Sequence, residues 1–163
     1  MTKQELGDLI IASEDMLFHI GMSMLRNETD VEDAIQSSIV RAFEGLKGLR
    51  HDRYARTWLT RIMINECNSL LRKRKFQAAV DVQEHVPAAL GADLTAADDS
   101  LLYQAILSLP EEMRLTLTMY YGDEFTIREI AKVLRVSEGT VKSRLSRGRA
   151  RLREILDSQG DFI

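Results

Sequence analysis

Apolar residues recur along most of this chain at intervals of three and four, the spacing that lines one face of an α-helix, and almost nowhere alternate as in a strand. The pattern predicts an all-α protein. Leu6, Leu9, Ile10, Met16, Leu17, Ile20 and Met24 keep one helical face, so a first core helix is expected over 6–24. Asn27 to Asp30 interrupts it. Thr29-Asp30-Val31-Glu32 then matches a capping box, in which the Thr29 hydroxyl and the Glu32 carboxylate satisfy free backbone donors reciprocally, and a second helix is expected from there. Its buried stripe reads Val31, Ile35, Ile39, Ala42, Phe43 and Leu46, ending near Gly45 or Gly48, where glycine tolerates left-handed dihedrals. Asp33, Gln36 and Arg41 fall outside that stripe. Beyond a short loop from Leu49 to Ala55, a third helix runs through Trp58, Leu59, Ile62, Met63, Cys67, Leu70 and Leu71. It finishes in Arg72-Lys73-Arg74-Lys75, cations that suit a helix C-terminus. Three amphipathic helices with short connections can close one small bundle, placed at 5–75.

The stretch 76–100 combines Ala, Asp, Gly and Pro87 without a sustained apolar stripe and reads as a flexible acidic linker, although Val80 and Val82 can touch a surface. A second helical module is expected over 101–158. Leu101, Leu102, Ala105, Ile106 and Leu109 share a face; Pro110 then restarts the chain in a first helical turn, where Glu111 and Glu112 complement the positive end. Met113, Leu117, Tyr120 and Tyr121 form the inner face of that helix, and Gly122-Asp123 breaks it.

The next two apolar stripes carry a motif. Ile127, Ile130, Ala131 and Leu134 make a short helix, and after Arg135-Val136 a further helix is announced by Ser137 as N-cap, the spacing of a helix-turn-helix. Val136 before the cap and Val141 after it suit a hydrophobic staple. On the last helix Val141, Leu145, Gly148 and Leu152 point inward, while Gly139, Ser143, Ser146, Arg147 and Ala150 point outward, flanked by Thr140, Lys142, Arg144 and Arg149. Small residues let the backbone approach and long cations reach, the combination that a reader of the DNA major groove needs. Lys and Arg can contact guanine edges or phosphates, the hydroxyls of Ser137, Thr140, Ser143 and Ser146 either, and Glu138 can accept from cytosine.

Charge changes the picture only when resolved along the chain. The formal net charge of −3 argues against a nucleic-acid partner when taken whole. Yet Glu28, Asp30, Glu32 and Asp33 cluster within a few residues, and 50–75 carries Arg50, Arg53, Arg56, Arg61, Arg72, Lys73, Arg74 and Lys75. Phe76 to Ser100 holds Asp81, Glu84, Asp93, Asp98 and Asp99 with no Lys or Arg, and 126–153 is again basic. Such segregation points to several partners. One cysteine, Cys67, excludes an intramolecular disulfide, and with His19, His51 and His85 scattered there is no ligand set at zinc spacing, so neither a metal nor another cofactor is expected. The N-terminus lacks a basic segment followed by an apolar core, and no apolar run approaches the roughly 20 residues of a membrane helix. The expectation is a cytoplasmic protein without membrane insertion. No nucleophile, base and orienting group recur at plausible spacing, which argues against an enzyme.

Taken together these segments resemble regions two and four of the extracytoplasmic-function (ECF, group 4) sigma factors of RNA polymerase, over nearly the whole chain. Asp30-Val31-Glu32-Asp33-Ala34-Ile35-Gln36 is similar to the segment that docks on the clamp helices of the polymerase largest subunit. Trp58-Leu59 with Ile62, Asn65, Asn68, Arg72, Lys73 and Arg74 resembles the minus-ten-reading helix. Leu109-Pro110-Glu111, Ile130-Ala131, Val136-Ser137, Gly139-Thr140-Val141 and Ser143-Arg144 resemble the minus-thirty-five reader.

The resemblance implies two small helical bundles and a protein that binds core polymerase, including the flap of its second-largest subunit, and directs sequence-specific initiation at promoter DNA. It also implies an anti-sigma partner. Core contacts then fall to Asp30, Glu32, Asp33 and Gln36. Minus-ten contacts fall to Arg53, Tyr54, Arg56, Arg61, Asn65, Asn68, Arg72 and Arg74. Minus-thirty-five contacts fall to Ser137, Glu138, Thr140, Lys142, Ser143, Arg144, Ser146, Arg147 and Arg149. A flipped non-template base is expected near the Leu49 to Ala55 loop, and the acidic linker is expected to thread polymerase channels otherwise filled by nucleic acid. Trp58 is read as core rather than as a stacking platform, and Cys67 as buried filler. The competing readings are a sigma-like adaptor that binds an anti-sigma factor without DNA, and a helix-turn-helix regulator, for which no sensor or receiver domain is visible.

Overall fold

The structure, a computed structural model, describes residues 1–80 and 97–160. Among them every regular element is helical, and the chain divides into two compact units, Met1–Ala92 and Asp93–Ile163. The first holds α1 (Lys3–Ala12), α2 (Glu14–Leu25), α3 (Glu28–Gly45) and α4 (Ala55–Val80); the second holds α5 (Ala97–Leu107), α6 (Glu111–Leu117), α7 (Ile127–Leu134) and α8 (Glu138–Gly160). Asp81, Val82, Glu84, His85, Pro87 and Asp93 of the expected linker lie outside the described residues.

In the first unit Thr2 and Glu5 form a reciprocal capping box that starts α1. The single helix expected over 6–24 is two, because Ser13, at φ −103° and ψ 7°, leaves the helical region between them. One such residue redirects the chain while keeping the buried face nearly in phase, so the periodicity carries no mark of it. Arg26, left-handed at φ 56°, ends α2, and Asn27 immediately caps α3 by accepting from the Asp30 amide at 3.0 Å. The cap is therefore Asn27 and not Thr29, which lies inside the first turn. Both residue types cap well, and the left-handed Arg26 decides for the earlier start.

α4 packs against both α2 and α3. The buried stripe of α3 is Val31, Ala34, Ser38 and Ala42; Ile35 and Ile39 are half-buried, and Phe43, expected inside, is 37% exposed. Small residues thus make the helix crossing and larger ones line its margin. The Ser38 hydroxyl donates to the Ala34 carbonyl at 2.7 Å, which removes the cost of burying it. Gly21 has the same function on α2, since a Cβ there would stand 2.6 Å from Val31 Cγ1 and 2.9 Å from Met63 Cε. Leu59, Met63 and Cys67 of α4 are buried, whereas Trp58, expected in the core, is half-buried.

In the second unit Ala105 and Leu109 are buried but Leu101 and Leu102 are exposed, so only the latter half of the expected stripe packs. Pro110 stands at the N-cap of α6, one position ahead of the first turn. A wider π turn over Thr118–Gly122, closed by the Asp123 amide on the Thr118 carbonyl at 3.2 Å, follows α6. The extra residue in that turn shifts the helical face. Met119 therefore goes inward and Tyr121, expected inside, is 58% exposed. Arg114 is buried and its Nη1 donates to the carbonyls of Leu107 and Leu109 at 3.2 and 2.9 Å, tying the end of α5 to α6. Phe125, Ile130, Val141 and Leu145 complete the core.

Candidate nucleic-acid interface

The helix-turn-helix is built from its caps. Thr126 and Glu129 box the start of α7, Arg135 closes it in a left-handed conformation at φ 57°, and the Ser137 hydroxyl accepts from the Thr140 amide at 3.1 Å to start α8. Val136 is half-buried and Val141 fully buried on either side of that cap. α8 then packs on α5, α6 and α7, with Val141, Leu145 and Gly148 buried. At Gly148 a Cβ would lie 3.0 Å from Leu117 Cδ1 and 3.4 Å from Met113 Cβ. With that side buried, the other is free: Glu138, Gly139, Lys142, Ser143, Ser146, Arg147, Arg149 and Ala150 are all exposed.

The flanks of this row are tied to the fold. Arg144, half-buried, reaches Glu112 of α6 at 3.6 Å, and Arg149 Nη1 donates to the Tyr121 hydroxyl at 2.8 Å. Thr140, also half-buried, shares a hydroxyl contact of 2.9 Å with Ser137. Ser137 is thus engaged as a cap, while Ser143, Ser146 and Arg147 stand outward. Exposed Arg128, Lys132 and Arg135, on or just after α7, add cations that the reading of α8 alone did not place. Their signal was the basic count over 126–153, which fixes no face.

In the first unit α4 sorts its polar residues. Arg61, Asn65, Asn68 and Arg72 are spaced by four, three and four, and so share one face. Asn65 and Arg72 on it are exposed, and Arg61 and Asn68 half-buried. Just before α4, Arg53 lies over the Tyr54 ring with its guanidinium carbon 4.7 Å from the centroid, and His51 meets the same ring edge-on at 6.1 Å. Arg56 and Arg74 are 18 residues apart, about five turns, and align instead with the packed side through Met63 and Cys67. Arg74 pairs with Asp30 and donates to the Leu25 carbonyl at 3.2 Å, closing the α2–α3 turn onto α4.

Asp30 is therefore engaged within the bundle. Glu32, Asp33 and Gln36 are exposed on the outer side of α3, whereas Arg41, at the rim of the α3–α4 packing, pairs with Glu66 of α4 at 3.1 Å. The sequence signals for Asp30 and Arg74 were charge and position; nothing in the pattern marked them as partners 44 residues apart in the chain. Among the described residues no group of three or more His, Cys, Asp or Glu is placed to hold a metal, and no helix is long and apolar enough to cross a membrane.

Residues 9–77 match the Sigma-70 region 2 family and residues 99–152 the Sigma-70, region 4 family. The RNA polymerase sigma-E factor of Streptomyces avermitilis is 31% identical over 157 residues, covering 95% of this chain and 87% of that protein. The ECF RNA polymerase sigma factor SigM of Mycobacterium tuberculosis is 34% identical over 133 residues, which span 80% of this chain and 66% of SigM. Among solved structures, the sigma factor RpoE of Bartonella quintana, crystallised with the anti-sigma factor NepR, superposes with a TM-score of 0.78 at 25% identity, covering 95% of this chain and 96% of that one. With both sigma regions matched in order and the relatives aligned over most of this chain, the chain belongs to the extracytoplasmic-function group of RNA polymerase sigma factors.

Proposed function

We propose that this protein binds core RNA polymerase and directs it to specific promoters, reading a minus-thirty-five element with α8 and a minus-ten element with α4. The observation that carries the reading is the sidedness of α8: one side is buried against α5, α6 and α7, and the other presents small residues beside Lys142, Ser143, Ser146 and Arg147. Ser137, Glu138, Thr140, Arg144 and Arg149 border that surface and supply phosphate or base-edge contacts.

On α4 the face through Arg61, Asn65, Asn68 and Arg72 meets the minus-ten element, with Arg53 and Tyr54 beside the loop that receives a flipped base. Unstacking a base costs a few kcal/mol, offset by contacts formed only after opening. Arg56 and Arg74 support this face from the packed side. Glu32, Asp33 and Gln36 dock on the clamp helices of the largest subunit, with Asp30 at the packed edge of that surface. The second unit engages the flap of the second-largest subunit, and the modules fall at 5–75 and 101–158 with a connection over 76–100. Core polymerase supplies the catalysis; this chain contributes recognition and works in the cytoplasm, under an anti-sigma partner.

The test is reconstitution. Purified protein added to core polymerase gives specific initiation from a promoter, selected from a random-sequence pool by the holoenzyme, that core alone ignores. DNA binding that is indifferent to core would instead make the chain a helix-turn-helix regulator. Capture of an anti-sigma domain with no initiation would make it an adaptor.

A further inference from the structure

α4 does not stop where its bundle does. The basic run Arg72 to Lys75 was the expected end of the helix, yet α4 continues to Val80, and Lys75, Phe76, Gln77, Ala78 and Ala79 are all exposed. Five consecutive exposed residues cover more than a full turn, so among the described residues nothing packs on any side of this end of the helix. Gln and Ala have high helix propensity and extend a helix already nucleated. On that stretch sits Phe76, 72% exposed, an aromatic ring that packing does not account for.

Its position on the helix gives it a role. Phe76 follows Arg72 by four residues and so continues the row Arg61, Asn65, Asn68, Arg72 by one more turn. From Arg61 to Phe76 the row is about 22 Å long at 1.5 Å per residue. That length matches about six or seven nucleotides at 3.4 Å each. Exposed Arg72 and Lys73 lie one turn before Phe76 on the same part of the helix and Lys75 beside them, and cations next to a stacking platform favour a phosphate-flanked base over an apolar protein surface.

We propose that Phe76 is a binding residue for promoter DNA, an aromatic platform that stacks on the base step at the upstream edge of the opened minus-ten segment. The inference rests on α4 as the minus-ten reader. The Leu49 to Ala55 loop, which receives the flipped base, lies at the opposite end of that helix, so the ring faces the double-stranded side, toward the minus-thirty-five element. A chain with few aromatics at its melting face thereby gains one at the far boundary of the bubble, where a stacked ring holds the fork from reclosing.

The experiment uses holoenzyme of the full chain and a fork-junction DNA carrying the selected promoter, double-stranded upstream of the minus-ten element. Phe76→Ser weakens binding on the order of ten-fold, Phe76→Tyr binds like wild type, and Phe76→Leu loses as much as Phe76→Ser because an aliphatic side chain cannot stack. Affinity for core polymerase without DNA is unchanged in all three. Abasic sites placed singly along the upstream edge identify the partner: at one position wild type falls to the level of Phe76→Ser, and the variant loses nothing more. Wild-type binding by Phe76→Leu overturns the proposal, as does an equal loss in core binding without DNA, which would make the ring a protein contact. Failure of the wild-type holoenzyme to initiate defeats the reading of α4 itself; variants that merely match an active wild type defeat only the assignment of Phe76.

Discussion

In the second module the outward row of α8, from Gly139 through Arg147 to Ala150, is exposed throughout, whereas the first module folds several of its candidate residues into its own packing. Arg74 is paired with Asp30, and Arg56 lies on the side of α4 that faces α2 and α3. The difference follows from where each reading helix sits. α8 packs its inner face on α5, α6 and α7 and leaves the row from Gly139 to Ala150 exposed, so packing and recognition divide its circumference. α4 packs on α2 and α3, and the polar residues at the rim of that packing, such as Arg74 beside Asp30, serve stability as well as contact. A charge on the uncovered face of a helix is therefore good evidence for a partner outside the chain, and a charge at the rim of a packed face is not until its neighbours are known.

The largest expected effect tests the division on α8. Leu145→Ala empties a fully buried position and should cost about 3 kcal/mol of stability, read from the denaturant midpoint at unchanged slope. A loss below about 1 kcal/mol would mean that the inner side of α8 is not the packed one. Arg147→Ala on the opposite side should leave that midpoint where it is and weaken specific promoter binding by about 2 kcal/mol, relaxing preference at one base pair. An equal loss on scrambled DNA would turn the contact into one with phosphate.

The helix crossings separate the modules further. Gly21→Ala drives a methyl against Val31 Cγ1 and Met63 Cε inside three-sided packing and should cost about 1 to 2 kcal/mol. Gly148→Ala meets the flexible side chain of Leu117 at 3.0 Å with Met113 Cβ at 3.4 Å, and the gain in helix propensity of about 1 kcal/mol offsets those contacts, so its midpoint should barely move. Equal losses at the two glycines would show that α8 is as confined at Gly148 as α2 is at Gly21. Next in size is the Asp30 and Arg74 pair, whose side chains are only partly buried. A double-mutant cycle through Asp30→Asn and Arg74→Ala should return a coupling near 1 kcal/mol in stability. A coupling of zero, with loss of promoter binding for Arg74→Ala alone, would move Arg74 out to the DNA face.

How much the sequence disclosed follows the same divide. The helix-turn-helix was legible to the residue, because Ser137 caps, Val141 and Leu145 bury, and the outward row needs no partner from elsewhere in the chain. The all-α class and the two modules were legible from periodicity and from the shift in composition after the third helix. What escaped was set by backbone states or distant partners. Ser13 and Arg26 carry dihedrals that no apolar spacing records, and the π turn after α6 rotated Tyr121 outward. Phe43 yielded its expected place to Ser38, since helices that cross closely select for small volume over hydrophobicity. The exposed end of α4 was hidden because a basic run reads as a helix terminus whether or not the helix continues.

The smallest predicted effect lies where the second module departs from its own clean division. Tyr121 reached the surface through the π turn, and its hydroxyl accepts from Arg149 at the edge of the reading row. Both side chains are exposed, so the bond adds little to stability, and Tyr121→Phe should shift the unfolding midpoint by less than about 0.5 kcal/mol. Its consequence is orientation: held by the phenol, Arg149 keeps one direction along the flank of α8, where it can meet a phosphate without first losing rotamer freedom. Tyr121→Phe should therefore weaken promoter binding by about two-fold and leave base preference untouched, and the effect should vanish in an Arg149→Ala background. Persistence of the loss in that background would assign the phenol a contact of its own with DNA, and the flank of α8 would then extend onto the turn that follows α6.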